Sequence, residues 1–279
     1  MGRRTRILSA VALMAIACSL GACSPTPVAE RPIGTLDDVR ALRDRDDLNL
    51  LFILVDTLRS DRLGTYGYDR DTSPRIDALT SSGIRFDSHL AQSSWTKCSM
   101  ASLWTGLYPN RTGVLRAQHA VPDAAKLPAE ILRENGFRTA GIFRNGWVAA
   151  NFGFGQGFEV YIQPLPHAKV RAEVASNPGW IAGSDDDVVR SASEFLRAHA
   201  DERWFLYLHL LDVHQYASDE ASAVFGTGYS DIYDNSILWT DALIGRLMDD
   251  LQNLGLSDRT LVVFASDHGE AFGEHGGEG

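Results

Sequence analysis

Three near-continuous apolar runs, each closed by an acid, constrain this chain more than any other feature: LNLLFILVD at 48–56, WFLYLHLLD at 204–212 and TLVVFASD at 260–267. A run that does not alternate with polar residues has no solvent face. Each therefore predicts a strand buried on both sides, as in a parallel sheet covered by helices. A weaker run, TAGIF at 139–143, predicts a fourth strand. Helical stretches punctuated by Pro or Gly fill the intervals: SPRIDALTSSG, LPAEILRENG closing on Gly136, DDVVRSASEFLRAHA, and SILWTDALIGRLMDDLQNLG closing on Gly255. Strands alternating with helices give an α/β fold, a mainly parallel sheet sandwiched by helices. Residues 151–183, with NFGFGQGF and NPGWIAGS, have no period and read as one long loop beside a site or forming a lid.

The N-terminus is a targeting segment. MGRRTR is basic, and the apolar ILSAVALMAIACSL after it is too short to span a bilayer and ends in small residues. Leu20-Gly21-Ala22-Cys23 resembles a bacterial lipobox, so residues 1–22 read as a lipoprotein signal peptide and Cys23 as the lipidated residue that anchors the chain to a membrane. An ordinary signal peptide cut after Ala22 is the alternative, and both export the chain. Residues 23–47 hold prolines and then the charged DDVRALRDRDD, which suits a tether and a short exposed helix. Residues 1–22 carry three arginines and no acid, so removing them takes the formal net charge from −10 to −13. Such acidity excludes nucleic acid as a partner. With Cys23 acylated, Cys98 is the one thiol left in residues 23–279, and no intrachain disulfide is available. Residues 48–279 are long enough for one domain with its own apolar core.

Ligands of open parallel sheets bind at the carboxyl ends of the strands. Three strand ends here are polar: Asp56 with Thr57, His209 through His214, and Asp267 with His268. A carboxylate at the mouth of a buried strand must be solvated, paired or bound to a cation to stay charged. Taken singly, Asp56 reads equally as an N-cap, Asp267 as a turn residue and His268 as a solvated loop histidine. Converging, two carboxylates and an imidazole supply the oxygen and nitrogen donors that a divalent Zn, Mn, Mg or Ca ion accepts.

Four segments, NLLFILVDTLRSDRLGTYGY, SSWTKCSMASLWTGLYPNRTGV, FLYLHLLDVHQYA and TLVVFASDHGEAFGEHGGEG, resemble in order and spacing the successive motifs of the sulfatase-like members of the alkaline phosphatase superfamily. The resemblance covers residues 48–279 and implies hydrolysis or transfer of sulfate or phosphate esters with one or two divalent metal ions. It places the nucleophile at a helix start with its oxygen on the metal. Aligning ASLWTG at 101–106 with the family's ASLLTG run sets its Cys/Ser-x-Pro-x-Arg motif on Thr96-Lys97-Cys98-Ser99-Met100. The nucleophile position is then Thr96, and Cys98, where the family has Pro, reads as a small buried residue. The family-type metal set becomes Asp56, Thr96, Asp267 and His268.

The departures from the pattern carry information. With Thr, Cys and Met in place of Cys or Ser, Pro and Arg, formylglycine is not expected. An unmodified Thr activated by a metal can still attack phosphorus, which tilts the substrate toward phosphate. Met100 removes a cation, for which Lys97 is the candidate replacement, with a solvent-directed Lys97 as the alternative. Thr57 stands where many sulfatases have a second Asp, which favours Zn or Mn over calcium. His214 matches the Asp-x-His element that contacts the substrate anion or protonates the leaving group. His209 reads as a packed neighbour on the same strand, and Glu274 and His275 as outer residues of the site. Family members continue beyond FGEHGGEG, so the resemblance implies a sheet incomplete at the C-terminus. The expected function is metal-dependent ester hydrolysis through Thr96. The alternatives are phospho-group transfer and a catalytically inactive surface lipoprotein.

Overall fold

A computed structural model of the chain describes residues 35–42, 45–167, 171–172 and 181–274. The signal segment, Cys23, His275 and residues 168–170 and 173–180 of the glycine-rich stretch lie outside them. The strands are Asn49–Val55 (β1), Arg138–Phe143 (β2), Val160–Ile162 (β3), Arg171–Ala172 (β4), Trp204–Leu210 (β5), Ala217–Ser218 (β6) and Thr260–Ser266 (β7). The helices are Leu36–Leu42 (α1), Pro74–Ser81 (α2), Thr96–Thr105 (α3), Pro109–Thr112 (α4), Pro128–Glu134 (α5), Asp185–Ala198 (α6) and Tyr229–Asn253 (α7). Among the described residues no helix is long and apolar enough to cross a membrane.

Five strands form one sheet in the order β3-β2-β5-β1-β7, and every pairing is parallel. The four strands expected from the apolar runs are all present. β3 lies inside the glycine-rich stretch and is too short to show a period. β4 and β6 pair antiparallel as a separate two-stranded ribbon.

Both faces of β1 and β5 are covered, which is why these strands read as unbroken apolar runs, whereas β7, at the edge of the sheet, is only partly buried along its length, with Leu261 37% exposed, against the two-sided burial expected of its run. On one face Leu51, Ile53 and Val55 of β1 and Leu206, Leu208 and Leu210 of β5 pack with α6 and α7 residues such as Val188, Leu196, Ile244 and Leu247. On the other, Leu54 of β1 and Phe205 and Tyr207 of β5 pack with Met100 and Trp104 of α3 and Ala129 of α5. Each leucine or isoleucine removed completely from water in these layers contributes about 1.5–3 kcal/mol.

The register brings the strand ends level. Val55 stands opposite Leu210 on one side and Ser266 on the other, and Phe143 stands opposite His209. Asp56, Arg144, Leu211 and Asp267 are therefore the first residues beyond four aligned strands.

A buried ionic knot ties two of these ends to α6. The Arg144 guanidinium, 1% exposed, bridges Asp185 and Asp212 and donates to Ile181 O, Gly183 O and Gln215 Oε1 at 3.0, 2.8 and 2.9 Å. Asp212 also accepts from the Ser184 hydroxyl (2.7 Å) and Trp239 Nε1 (2.9 Å). The Asp185 carboxylate accepts the backbone N–H groups of Leu211 and Asp212 at 2.7 and 2.8 Å. Burial and the Asp212 charge push the Asp185 carboxyl up to about 7 against the pull of Arg144. The knot fixes the turns that carry Asn145 and His214. Removing one member of a buried ion pair leaves an uncompensated charge. Arg144→Met is therefore expected to cost about 3–5 kcal/mol, read as a fall in the urea unfolding midpoint.

Candidate metal centre

Side-chain parity decides what meets at the strand ends. In β1 the even-numbered positions face α3, and in β5 the odd-numbered ones do. Asp56 and His209 thus extend the α3 face, whereas Asp212 extends the opposite face into the Arg144 knot. Asp267, at the end of β7, completes a group with Asp56 and His209 in which one ligand atom from each lies within 4.8 Å of the others. All three are buried.

Each carboxylate is held by one oxygen. Asp56 Oδ2 accepts from Asn145 Nδ2 at 2.5 Å and from His209 Nε2 at 3.0 Å. Asp267 Oδ1 accepts the backbone N–H groups of Thr57 and His268 at 3.2 and 3.0 Å. The other oxygens, Asp56 Oδ1 and Asp267 Oδ2, are buried without a hydrogen-bond partner. A buried carboxylate oxygen left unpaired is costly. Two of them in one cluster are the donor atoms a divalent cation takes. The residues therefore fit such an ion.

Thr96 and His268 close the group. Thr96, 3% exposed, is the first residue of α3. Its hydroxyl oxygen lies 3.3 Å from His268 Nε2 and 3.5 Å from Asp56 Oδ2. His268 Nε2 is 3.4 Å from Asp267 Oδ2 and 3.8 Å from Asp56 Oδ1. Its Nδ1 lies 2.8 Å from Gly269 O. A carbonyl requires a donor there, so the proton sits on Nδ1 and the Nε2 lone pair is free to face the cluster.

The charges are strongly coupled. Burial raises the Asp56 carboxyl, but the hydrogen bond from His209 and the surrounding histidines outweigh that and hold it below its ordinary value. Burial and the Asp56 charge push Asp267 up to about 6. Thr57 between them sits at a φ of +60°, a backbone region costing about 1–3 kcal/mol for a non-glycine residue. Three hydrogen bonds hold it there: its hydroxyl donates to Asp56 O (2.7 Å), its N–H to Asp267, and its carbonyl accepts from the Tyr233 hydroxyl (2.7 Å). Thr57 thus shapes the loop through its backbone and offers no side-chain oxygen to the cluster.

Asp56, Thr96, Asp267 and His268 come together at the positions expected of them. His209 departs from its expectation: it is a direct partner of Asp56, because β5 alternates it onto the α3 face. Lys97 departs as well. It is fully buried, donates to the carbonyl oxygens of Ala117 and His119, and its ammonium lies 3.0 Å from the Phe152 ring centroid and 4.8 Å from that of Trp147. It reaches neither solvent nor the Thr96 hydroxyl, and burial lowers its pKa. Cys98 is buried, as a small apolar residue should be, and Ser99 donates to Asp267 O at 2.5 Å. His214 is half-buried in the turn after β5. Glu274 pairs with Arg59 at 2.6 Å. Asn145 was not anticipated, although the polar pair after TAGIF is the same signal that marked the other three strand ends.

A family model described as Sulfatase matches residues 48–279. Human arylsulfatase A is 25% identical over 266 residues, covering 79% of this chain and 52% of its own length. The chain spans about half the length of the curated relatives it matches. Among solved structures, the phosphonate monoester hydrolase of Agrobacterium radiobacter superposes with a TM-score of 0.68 at 21% identity, over 83% of this chain and 62% of that one. The C-terminal periplasmic domain of EcEptC from Escherichia coli, in complex with Zn, does so with a TM-score of 0.61 at 18% identity, over 83% and 67%. These structural likenesses concern the fold. With a family match that runs over residues 48–279, on a parallel sheet whose strand ends hold the carboxylate cluster, the chain belongs to the sulfatase family.

Proposed function

We propose that the protein hydrolyses phosphate or sulfate esters outside the cytoplasm, with phosphorus favoured, and that Thr96 is its nucleophile. The observation that carries this reading is the Thr96 hydroxyl at the first residue of α3, beside His268 Nε2 and opposite two buried carboxylate oxygens that lack partners. Asp56, Thr96, Asp267 and His268 would hold the divalent cation, and an imidazole among oxygen donors suits Zn or Mn better than Ca or Mg. When bound, that ion supplies Lewis acidity and lowers the pKa of a hydroxyl it touches.

The chain's own residues do the rest. Asn145 and His209 fix the Asp56 carboxylate by its outer oxygen, and Asp56 Oδ2 lies 3.5 Å from the Thr96 oxygen as an acceptor for its proton. Attack by Thr96 forms the new oxygen–phosphorus bond while the bond to the alcohol breaks. His214 is the group that protonates the departing alkoxide. Water then cleaves the threonine ester. The N-terminal end of α3 points its positive dipole at the incoming anion. A lipid on Cys23 would tether this domain to the membrane, which the intact mass of the N-terminal peptide from membrane-extracted protein checks: an unmodified Cys23 removes the anchor.

Two measurements test the site itself. Saturating Zn or Mn should raise the thermal midpoint, by an amount equivalent to about 2.7 kcal/mol at a hundredfold excess over Kd. Asp267→Asn keeps an oxygen for the Thr57 and His268 N–H groups, so it should fold yet lose the cation-induced shift. A parent that folds but shows no shift removes the cation from the reading. Across a panel of phosphate and sulfate mono- and diesters, Thr96→Ala should lower kcat by about 10³-fold or more, whereas Cys98→Ala should stay within a few-fold of the parent. Comparable rates for Thr96→Ala and the parent end the nucleophile assignment.

A further inference from the structure

Two histidines touch the carboxylate cluster, and their hydrogen bonds set them in opposite tautomers. His209 Nε2 lies 3.0 Å from Asp56 Oδ2, and an ionised carboxylate is only an acceptor. The proton is therefore on Nε2. The other ring nitrogen, Nδ1, is 2.6 Å from the Tyr207 hydroxyl, which donates its proton to the Nδ1 lone pair. Burial raises the Tyr207 phenol well above its ordinary value and keeps that proton in place. His268 is arranged the other way, with Nδ1 donating to Gly269 O and Nε2 open.

We propose that Tyr207 and His209 are positioning residues, a buried relay that fixes Asp56 by Oδ2 and leaves Oδ1 as its one free ligand atom, and that His209 is not itself a metal ligand. Resting on the cation-binding reading of Asp56 and His268, the relay adds what orients the carboxylate and what His209 does in place of binding the ion. Its parts are rigid. Tyr207 and His209 are both fully buried, two residues apart on one face of β5. The Tyr207 ring is held edge-on by Trp104, with centroids 4.9 Å apart and planes at 85°. A ring so confined cannot swing its hydroxyl away from Nδ1. Asn145 Nδ2 gives Oδ2 its second donor, so the inner oxygen of Asp56 has none. Hydrogen bonds of this outer kind orient ligands and typically change metal affinity 10- to 100-fold when lost.

The tautomers are read directly by ¹⁵N–¹H correlation of the imidazole nitrogens in the full chain, first without metal and then with Zn added. Without metal, the expected pattern is Nε2–H on His209 and Nδ1–H on His268. On adding Zn, the His268 Nε2 resonance should move as a ligand's does while the His209 Nε2 proton persists. A metal-free spectrum with the His209 proton on Nδ1 alone, or loss of the Nε2 proton with a ligand-type shift at His209 in Zn, overturns the proposal. A parent that gives the expected metal-free spectrum but binds no Zn refutes cation binding while leaving the relay on Asp56 supported. Zn affinity by calorimetry supplies the second readout. Tyr207→Phe should weaken binding about 10- to 100-fold, and His209→Gln, which keeps an N–H donor, should bind more tightly than His209→Ala. Unchanged Zn affinity in a folded Tyr207→Phe, or equal affinities for the two His209 variants, removes the positioning role.

Discussion

Two carboxylates buried at the mouths of adjacent strands set the terms for everything around them. With oxygens within 4.8 Å of each other, and at the effective dielectric of about 20 that suits buried sites, two full charges repel by roughly 3.5 kcal/mol. The protein answers this unequally. Asp56 receives side-chain donors from Asn145, His209 and Thr96 on one oxygen and is held below its ordinary value. Asp267 receives only two backbone donors and rises to about 6. The difference leaves Asp267 as the more weakly acidic half of a pair whose inner oxygens face each other unpaired. A packed interior does not keep two such oxygens together without another positive charge for them to share.

The parallel sheet makes that confrontation possible. β5 runs between β1 and β2, and β7 lies on the far side of β1, so strands distant in sequence end at one level. Parity then sorts the polar residues: Asp56, His209 and Asp267 fall on the α3 face, where Thr96 waits. Asp212, one strand end away, falls on the other and is neutralised by Arg144. Two acidic groups thus arise from the same strand ends with opposite outcomes. One contains its own guanidinium and holds loops in place, while the other lacks a fixed cation and is open to an exchangeable one. The αL conformation of Thr57 belongs to the same arrangement, a local strain held by three hydrogen bonds, one of which fixes an oxygen of Asp267.

Much of the architecture was legible because burial on both faces of β1 and β5 leaves a direct imprint, an apolar run of strand length, although β7 carries the same run with only partial burial. The acids that close those runs gave Asp56 and Asp267, and the family motifs gave Thr96 and His268. The elements that escaped had no imprint to leave: β3 is three residues long and the β4–β6 ribbon two residues per strand. His209 was visible as a polar residue in an apolar strand, but its role depends on which face it shares with Asp56, and that follows from the pairing of β5 with β1. Lys97 failed for a different reason. Sequence placed its backbone beside the nucleophile, while the direction of a long side chain at a helix start depends on the aromatic residues Trp147 and Phe152 from a loop some fifty positions away.

The lost arginine of the family motif now has a structural setting. Met100 is fully buried in the apolar layer between α3 and the sheet, with Leu54 and Trp104 in the same cluster. A guanidinium could enter that layer only with a buried partner, and none of the apolar residues there offers one. Lys97 cannot take over its task, since its ammonium is enclosed by two carbonyls and two aromatic rings. What remains for an incoming anion is the amino end of α3 and the half-buried His214 in the turn after β5. A dication would do no more than cancel Asp56 and Asp267. On the proposed reading, the charge of an ester substrate would fall on the helix end and on His214. A site so provisioned would favour an attack in which little additional negative charge must be stabilised, and on that proposal the turn after β5, held by the Arg144 knot, would matter as much as the carboxylate cluster itself.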